Sequence, residues 1–205
     1  LQPHFSPLNV FRYITVRTAL ASLTALFLCL VLGPWLVRRL REMQVGQFIR
    51  EEGPERHQAK AGTPTMGGIL IILGITIPTL LWADLRNLWV WLALGATLCF
   101  AAIGFADDYN KVVRKRNLGL SGRSKMFFQI LTSFGVGVVL LLLTARGLYH
   151  TELIMPFFKN LRPDLLLRPL AETAPWMWPL VAMPFLIFLV LVIVGASNAV
   201  NLTDG

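Results

Sequence analysis

The sequence predicts an all-α integral membrane protein with five transmembrane helices in this chain. Of its 205 residues, 55% are hydrophobic and only 15% are charged, whereas a soluble globular domain carries roughly 25% charged residues. The hydrophobic residues form five long blocks without Asp, Glu, Lys, Arg or His, and a helix needs about 20 such residues to cross the hydrocarbon core. Five buried helices in a soluble core of this size are a poor alternative. The predicted spans cover residues 18–36, 67–83, 88–106, 126–145 and 176–196.

The positions of Lys and Arg predict how these spans are oriented. Twelve of the 19 basic residues fall in two segments, 37–66 and 107–125, and basic loops face the cytoplasm. The N-terminus and the Pro-rich loop 146–175 are then outside, in a single membrane domain that contacts the lipid bilayer. The net charge of +8 mostly reflects this topology. Because the basic residues lack interleaved aromatic residues, we expect no nucleic-acid partner.

Four polar segments flank the predicted spans, and the predicted topology places all of them on the cytoplasmic side. In chain order they are KAGTPTMGG (60–68), IGFADDYNK (103–111), LSGRSK (120–125) and GASNAVNLTDG (195–205). A site for a cytoplasmic substrate would need its residues on this one face.

Asp107 and Asp108 are the most informative pair. They follow the third predicted span directly, at the expected C-terminal end of its helix, where the macrodipole disfavours carboxylates by about 0.3–1 kcal/mol each. One interpretation is catalytic, with one carboxylate acting and the other orienting. The alternative is a local ion pair, since Lys111 is four residues from Asp107 and three from Asp108.

Two lysines precede spans that enter the membrane from the cytoplasmic side. Lys60 and Lys125 therefore lie near helix N-termini, which are favourable sites for anions, and Thr65 adds a hydroxyl. The alternative for each segment is ordinary helix capping with topology-determining lysines. Together, and opposite a paired acid, the lysines are typical of a diphosphate-and-metal site. After the fifth span, polar recognition groups are unusually dense at Asn198, Asn201 and Asp204.

The four segments resemble, in their strings, order and spacing, the polyprenyl-phosphate N-acetylhexosamine-1-phosphate transferases, in particular the members that act in bacterial cell-wall synthesis. The strings GTPTMGG and NAVNLTDG are specific, whereas the DD pair alone would not be. The resemblance covers essentially the whole chain. Because the family continues beyond NLTDG, it also implies that the chain corresponds to about the first half of such an enzyme, whose full length would have about ten helices and usually form a homodimer.

The resemblance also implies a reaction. Phospho-N-acetylmuramoyl-pentapeptide would pass from UDP-N-acetylmuramoyl-pentapeptide to undecaprenyl phosphate at the cytoplasmic face of the bacterial inner membrane, giving lipid I and UMP with Mg²⁺. Asp107 and Asp108 would belong to the acidic site. Within the pair, our own hypothesis makes Asp107 a general base or acceptor-orienting group and Asp108 a support for the metal, and the reverse assignment stays open. The nucleotide-sugar cleft would be lined by Lys60, Thr65, Lys125, Asn198, Asn201 and Asp204.

Three alternatives remain open at this stage. A sister transferase would move N-acetylglucosamine-1-phosphate to the same lipid. A membrane transporter would place ionisable residues within its spans, and the five blocks here have none. A membrane scaffold without catalytic activity would leave the acidic pair and NLTDG without a purpose.

Overall fold

The structure, a computed structural model, describes residues 6–42, 66–114, 119–158, 160–167 and 175–204. In these ranges the chain is helical apart from short turns and one loop. Two short 3-10 helices cover Ser6–Arg12 and Pro175–Met177. The α-helices are α1 (Ile14–Glu42), α2 (Gly68–Trp82), α3 (Leu88–Arg114), α4 (Gly122–Ala145) and α5 (Trp178–Asp204).

Four of these helices, α1, α3, α4 and α5, are long and apolar enough to cross a membrane. Most of their large apolar side chains are exposed, as expected for helices whose outer faces contact lipid and not water. The chain is therefore a multi-pass membrane protein. The remaining apolar helix, α2, has 15 residues, or about 22 Å of rise, against a hydrocarbon core of about 30 Å. The count of five spans and the outside location of the N-terminus stay predictions.

The chain divides into two compact units, Leu1–Gly122 and Arg123–Gly205. In the first unit, α1 packs against α2 through small residues and a few specific contacts. A Cβ added at Gly74 would lie 3.2 Å from the Cys29 sulfur, so the two helices approach closely there. The Trp82 indole N–H donates to the Thr24 hydroxyl at 2.9 Å, and the ring of Phe11 stacks on Trp82.

In the second unit, α4 packs against α5, and the centre of the packing is apolar. Val181 and Phe185 on α5 are buried. Gly137 on α4 allows the close approach, because a Cβ there would lie 2.6 Å from a methyl carbon of Leu186.

The connection between α4 and α5 contains a loop that folds back on itself. Glu152 and Asp164 form an antiparallel bridge, and the Thr151 hydroxyl donates to the Asp164 carboxylate at 2.5 Å. The backbone N–H of Leu167 then donates to the Val181 carbonyl at 3.2 Å, which joins the loop to the first turn of α5. The side of the membrane on which this loop lies stays a prediction.

Helices α3 and α5 continue about two turns beyond the ends expected from their apolar blocks. Helix α3 ends at Arg114 and not near residue 106, so Asp107 and Asp108 lie inside the helix, about two turns before its end. Their predicted place at the helix terminus was wrong, and the dipole penalty does not apply, because that effect is confined to the last turn. Helix α5 likewise includes Asn198, Asn201 and Asp204. An apolar block marks the part of a helix that suits lipid, and the polar residues after it propagate the helix as long as no Pro or Gly intervenes.

Candidate functional site

The acidic pair of α3 forms a compact charged cluster with Lys111. The Lys111 ammonium lies 2.7 Å from Asp107 Oδ2 and 3.2 Å from Asp108 Oδ1. Residues three and four apart lie on the same side of a helix, so one lysine can bridge both carboxylates. The local ion pair considered from the sequence is therefore present.

Asp107 also holds the chain that leads into α4. The backbone N–H of Leu120 donates to Asp107 Oδ1 at 2.7 Å. The chain approaches so closely at the preceding residue that a Cβ added to Gly119 would overlap the Asp107 carboxylate and lie 2.8 Å from its backbone carbonyl oxygen. Only glycine fits at 119 without displacing Asp107, a requirement that no local sequence pattern indicates.

The two carboxylates differ in how many of their oxygen atoms already have a partner. Both oxygens of Asp107 are engaged, and its side chain is only 12% exposed. Asp108 uses Oδ1 for Lys111 and is 34% exposed. Within the described ranges, Asp108 Oδ2 has no hydrogen bond or ion pair. Asp108 is therefore the member of the pair that can still bind a ligand.

A second polar cluster lies in the other unit and joins α4 to α5. The Asn198 amide nitrogen donates at 2.9 Å both to Gln129 Oε1 and to the Val194 carbonyl. The Gln129 amide nitrogen donates in turn to the Ser197 hydroxyl at 3.4 Å. Gln129 is only 3% exposed. Sequence reasoning missed Gln129, although an amide inside an apolar block is itself a sign of an interhelical hydrogen bond.

The other predicted site residues are placed in part. Lys125 lies in the first turn of α4, as expected for a residue near a helix N-terminus. Asn201 and Asp204 lie in the last two turns of α5. Lys60 and Thr65 lie outside the described residues. The structure thus brings Asp107, Asp108 and Lys111 together in one unit, and Asn198 together with Gln129 in the other.

The carboxylates fit a magnesium site only in part. No group of three or more His, Cys, Asp or Glu side chains comes together within the described ranges, so a complete metal cage is absent there. Mg²⁺ at phosphoryl-transfer sites binds one or two carboxylates and takes further ligands from substrate phosphates. One available oxygen on Asp108 suits that mode of binding.

Comparison with known proteins identifies the family. A family model described as Glycosyl transferase family 4 matches residues 90–205. A shorter model, the Phospho-N-acetylmuramoyl-pentapeptide-transferase signature 1, matches residues 60–72. Both clusters lie within the longer match, and the KAGTPTMGG segment lies within the shorter one.

Similar proteins cover nearly the whole of this chain. A phospho-N-acetylmuramoyl-pentapeptide-transferase of Koribacter versatilis is 58% identical over 202 residues, which is 98% of this chain and 53% of the relative. Proteins of the same name from Solibacter usitatus and Desulfatibacillum aliphaticivorans are 55% and 52% identical over 205 residues, covering 54% and 52% of those relatives. The chain spans about half the length of the curated relatives it matches.

Proposed function

We propose a function for this chain, which belongs to glycosyl transferase family 4. The full-length protein would transfer phospho-N-acetylmuramoyl-pentapeptide from its UDP derivative to undecaprenyl phosphate. The products are lipid I and UMP. The observation that carries this proposal is the match to the phospho-N-acetylmuramoyl-pentapeptide-transferase signature at residues 60–72. It favours this reaction over the sister transfer of N-acetylglucosamine-1-phosphate, and the identity of 58% to a relative of that name supports the same choice.

The proposed phosphoryl transfer depends more on neutralising the negative phosphates than on proton transfer. An oxygen of undecaprenyl phosphate attacks the phosphorus that carries the sugar, and the bond from that phosphorus to the UMP oxygen breaks. A phosphate monoester has a second pKa of about 6, so the acceptor is mostly a dianion at neutral pH and needs little help from a base. Such a reaction is accelerated by groups that position and neutralise the phosphates.

The geometry of the charged cluster supports separate roles for its members. Asp107 already holds Lys111 and the Leu120 N–H, so we assign it to orientation and not to proton abstraction. Lys111, whose side chain is 33% exposed, can face a phosphate oxygen while both carboxylates restrain it. Asp108 would hold Mg²⁺ through its available oxygen, and the ion would supply positive charge to the diphosphate.

The nucleotide-sugar cleft is proposed from residues of all four polar segments. Lys60, Thr65 and Lys125 would contact the diphosphate, with Lys125 supported by its place in the first turn of α4, where backbone N–H groups favour anions. Asn198, Asn201 and Asp204 would contact the uridine and the sugar. Their places in the last turns of α5 allow residues 198 and 201, three apart, to share one helix face.

The site is proposed to face the cytoplasm of a bacterial inner membrane, with the N-terminus outside and five of about ten spans in this chain. The full protein would be a homodimer. Single cysteines replacing Arg56 or Arg116, with Cys29 and Cys99 replaced by alanine, should resist a membrane-impermeant maleimide in intact cells. A cysteine replacing Ile154, in the exposed loop between α4 and α5, should react. The opposite pattern would reject this topology.

The direct test is turnover by the full-length protein in lipid nanodiscs. UMP release should require undecaprenyl phosphate and Mg²⁺ and should proceed with UDP-N-acetylmuramoyl-pentapeptide. UDP-N-acetylglucosamine is the matched control substrate, with which we expect no turnover. Turnover with the control substrate alone would favour the sister transferase, and no UMP release with either would reject the proposed reaction.

A further inference from the structure

The buried amide of Gln129 requires a partner wherever α4 lies in an apolar environment. Gln129 is 3% exposed, and an amide that is buried away from water without a hydrogen-bond partner is unfavourable. In this structure the side chain satisfies both ends of its amide, with Oε1 accepting from Asn198 and Nε2 donating to Ser197. The partners lie on α5, 68 and 69 residues along the chain.

The contacts of Asn198 determine which end of its amide is free. Its nitrogen lies 2.9 Å from the Val194 backbone carbonyl, which can only accept a hydrogen bond, so the nitrogen and oxygen of the side chain cannot be exchanged there. The second hydrogen of that nitrogen goes to Gln129 Oε1. A side-chain amide has two donor hydrogens, and both are therefore engaged within the protein.

Only the oxygen of Asn198 remains for a ligand. Asn198 Oδ1 has no hydrogen bond to any residue that the structure describes, and the side chain is half-buried. An amide oxygen accepts from hydroxyl and N–H groups, which nucleosides and N-acetyl sugars carry. Without Gln129, the amide would lose the contact that joins it to α4 and could rotate about the bond to its Cβ.

We infer that Gln129 is a positioning residue for the UDP-sugar: it holds Asn198 with its oxygen turned outward to accept a hydrogen bond from the substrate. This inference rests on the proposed function and deepens it, because it names a residue of α4 that acts on the substrate only through α5. Gln129 itself touches no substrate.

A double-mutant cycle in the full-length protein tests this dependence. Gln129→Leu removes the contact at similar volume, and Asn198→Ala removes the group that is positioned. Each should raise the KM for the UDP-sugar about three- to tenfold, the scale of one lost neutral hydrogen bond, without changing the KM for undecaprenyl phosphate. The double variant should be no worse than Asn198→Ala alone, because a residue that acts through another contributes nothing once that residue is gone.

Two further variants separate positioning from packing. Gln129→Glu in its neutral carboxyl form keeps an acceptor for Asn198 and a donor for Ser197, so it should retain a KM within about twofold of wild type, well inside the range expected for one lost hydrogen bond. Ser133→Ala is the matched control, because this fully buried hydroxyl bonds the Gln129 backbone carbonyl at 2.8 Å and does not touch Asn198. It should lower the melting temperature and leave the UDP-sugar KM unchanged.

The outcomes distinguish this inference from the proposed function. A wild-type protein without transferase activity would reject the proposed function. If the wild-type protein is active, two results would overturn the positioning role alone. One is a double variant in which the KM increases of the two single substitutions multiply, and the other is a Gln129→Leu variant with an unchanged UDP-sugar KM. An Asn198→Ala variant with normal KM would overturn it as well.

Discussion

The two polar clusters of this protein both pair polar side chains next to apolar helices, one with charged groups and the other with neutral amides. On α3, the charged residues Asp107, Asp108 and Lys111 lie within five residues of one another. Asp108 and Lys111 are about one third exposed, and Asp107 is more buried. Between α4 and α5, Gln129 and Asn198 are neutral and deeply placed, and 69 residues of chain separate them. Both clusters keep polar groups paired on helices that expose many large apolar side chains.

The difference shows how burial selects the kind of polar group. Removing a charge from water costs several kcal/mol even when it is paired, so the charged cluster keeps about a third of the Asp108 and Lys111 side chains in contact with solvent. A neutral amide costs less to bury and is offset by two hydrogen bonds. The charged cluster therefore suits a reacting phosphate, and the neutral cluster suits fixed orientation of a recognition group.

The largest expected effect separates the two carboxylates of the charged cluster. Asp108→Asn should lower turnover by at least about a hundredfold, the usual scale for a lost catalytic group, because the charge on the available oxygen disappears. Its melting temperature should stay nearly that of wild type, since Asp108 pairs only with Lys111, at 3.2 Å, among the residues that the structure describes. UMP release and thermal unfolding of the same preparation are the measurements.

Asp107→Asn is the matched variant, and it should lower stability more than Asp108→Asn does. It keeps an acceptor for the Leu120 N–H but loses the 2.7 Å ion pair with Lys111, so stability should fall by about 1–3 kcal/mol. Turnover should fall less than in Asp108→Asn. Stable Asp107→Asn protein with turnover below that of Asp108→Asn would show that Asp107 is the reacting base.

A smaller effect is expected from Lys125, a basic site residue in the unit that holds the neutral cluster. Lys125→Ala should weaken UDP-sugar binding about ten- to a hundredfold, because a charge-assisted hydrogen bond contributes about 1.5–3 kcal/mol. Binding of undecaprenyl phosphate should change much less. Calorimetric titration of each substrate measures both, and an unchanged affinity for the UDP-sugar would remove Lys125 from the cleft.

The close approach at Gly119 predicts a loss of stability without a change in charge. In Gly119→Ala the new Cβ would lie 2.8 Å from the Asp107 carbonyl oxygen and overlap its carboxylate, so the backbone must move and the Leu120 hydrogen bond must lengthen. We expect a loss of about 1–3 kcal/mol, as for other overpacked sites. Gly122→Ala is the control, because nothing lies within 4 Å of its added Cβ; equal melting temperatures for the two variants would disprove this close contact.

The smallest effect is expected at the packing of α4 on α5. The Cβ in Gly137→Ala would meet methyl carbons of Leu186 and Leu189 at 2.6 and 3.1 Å, and these are ends of flexible side chains that can rotate away. We expect a loss of about 1 kcal/mol or less. Gly135→Ala, with open space around its Cβ, should be neutral or slightly stabilising, since alanine is the better helix former. A Gly137→Ala variant as stable as Gly135→Ala would mean that α4 and α5 pack more loosely than the 2.6 Å distance to Leu186 indicates.

Features that depend on neighbouring residues could be read from the sequence. The apolar blocks indicated the helices, and the spacing of Asp107, Asp108 and Lys111 indicated an ion pair because it matches one helical turn. The ends of α3 and α5 could not be read in the same way. Hydrophobicity reports where a helix suits lipid, whereas its end depends on backbone hydrogen bonds that polar residues such as Asn201 also support.

By itself, the sequence determined the membrane-protein class, the family, the spans in outline and the residues that carry charge near them. Only the tertiary structure decided that Asp107 contacts both Leu120 and Lys111, whereas Asp108 Oδ2 has no partner among the residues that the structure describes. It also decided that Asn198 donates a hydrogen bond to Gln129. The physical reason is the range of the interactions. Helical periodicity acts over three or four residues and is written locally, but the register of α4 against α5 results from contacts between residues far apart in the chain, such as Gly137 with Leu186.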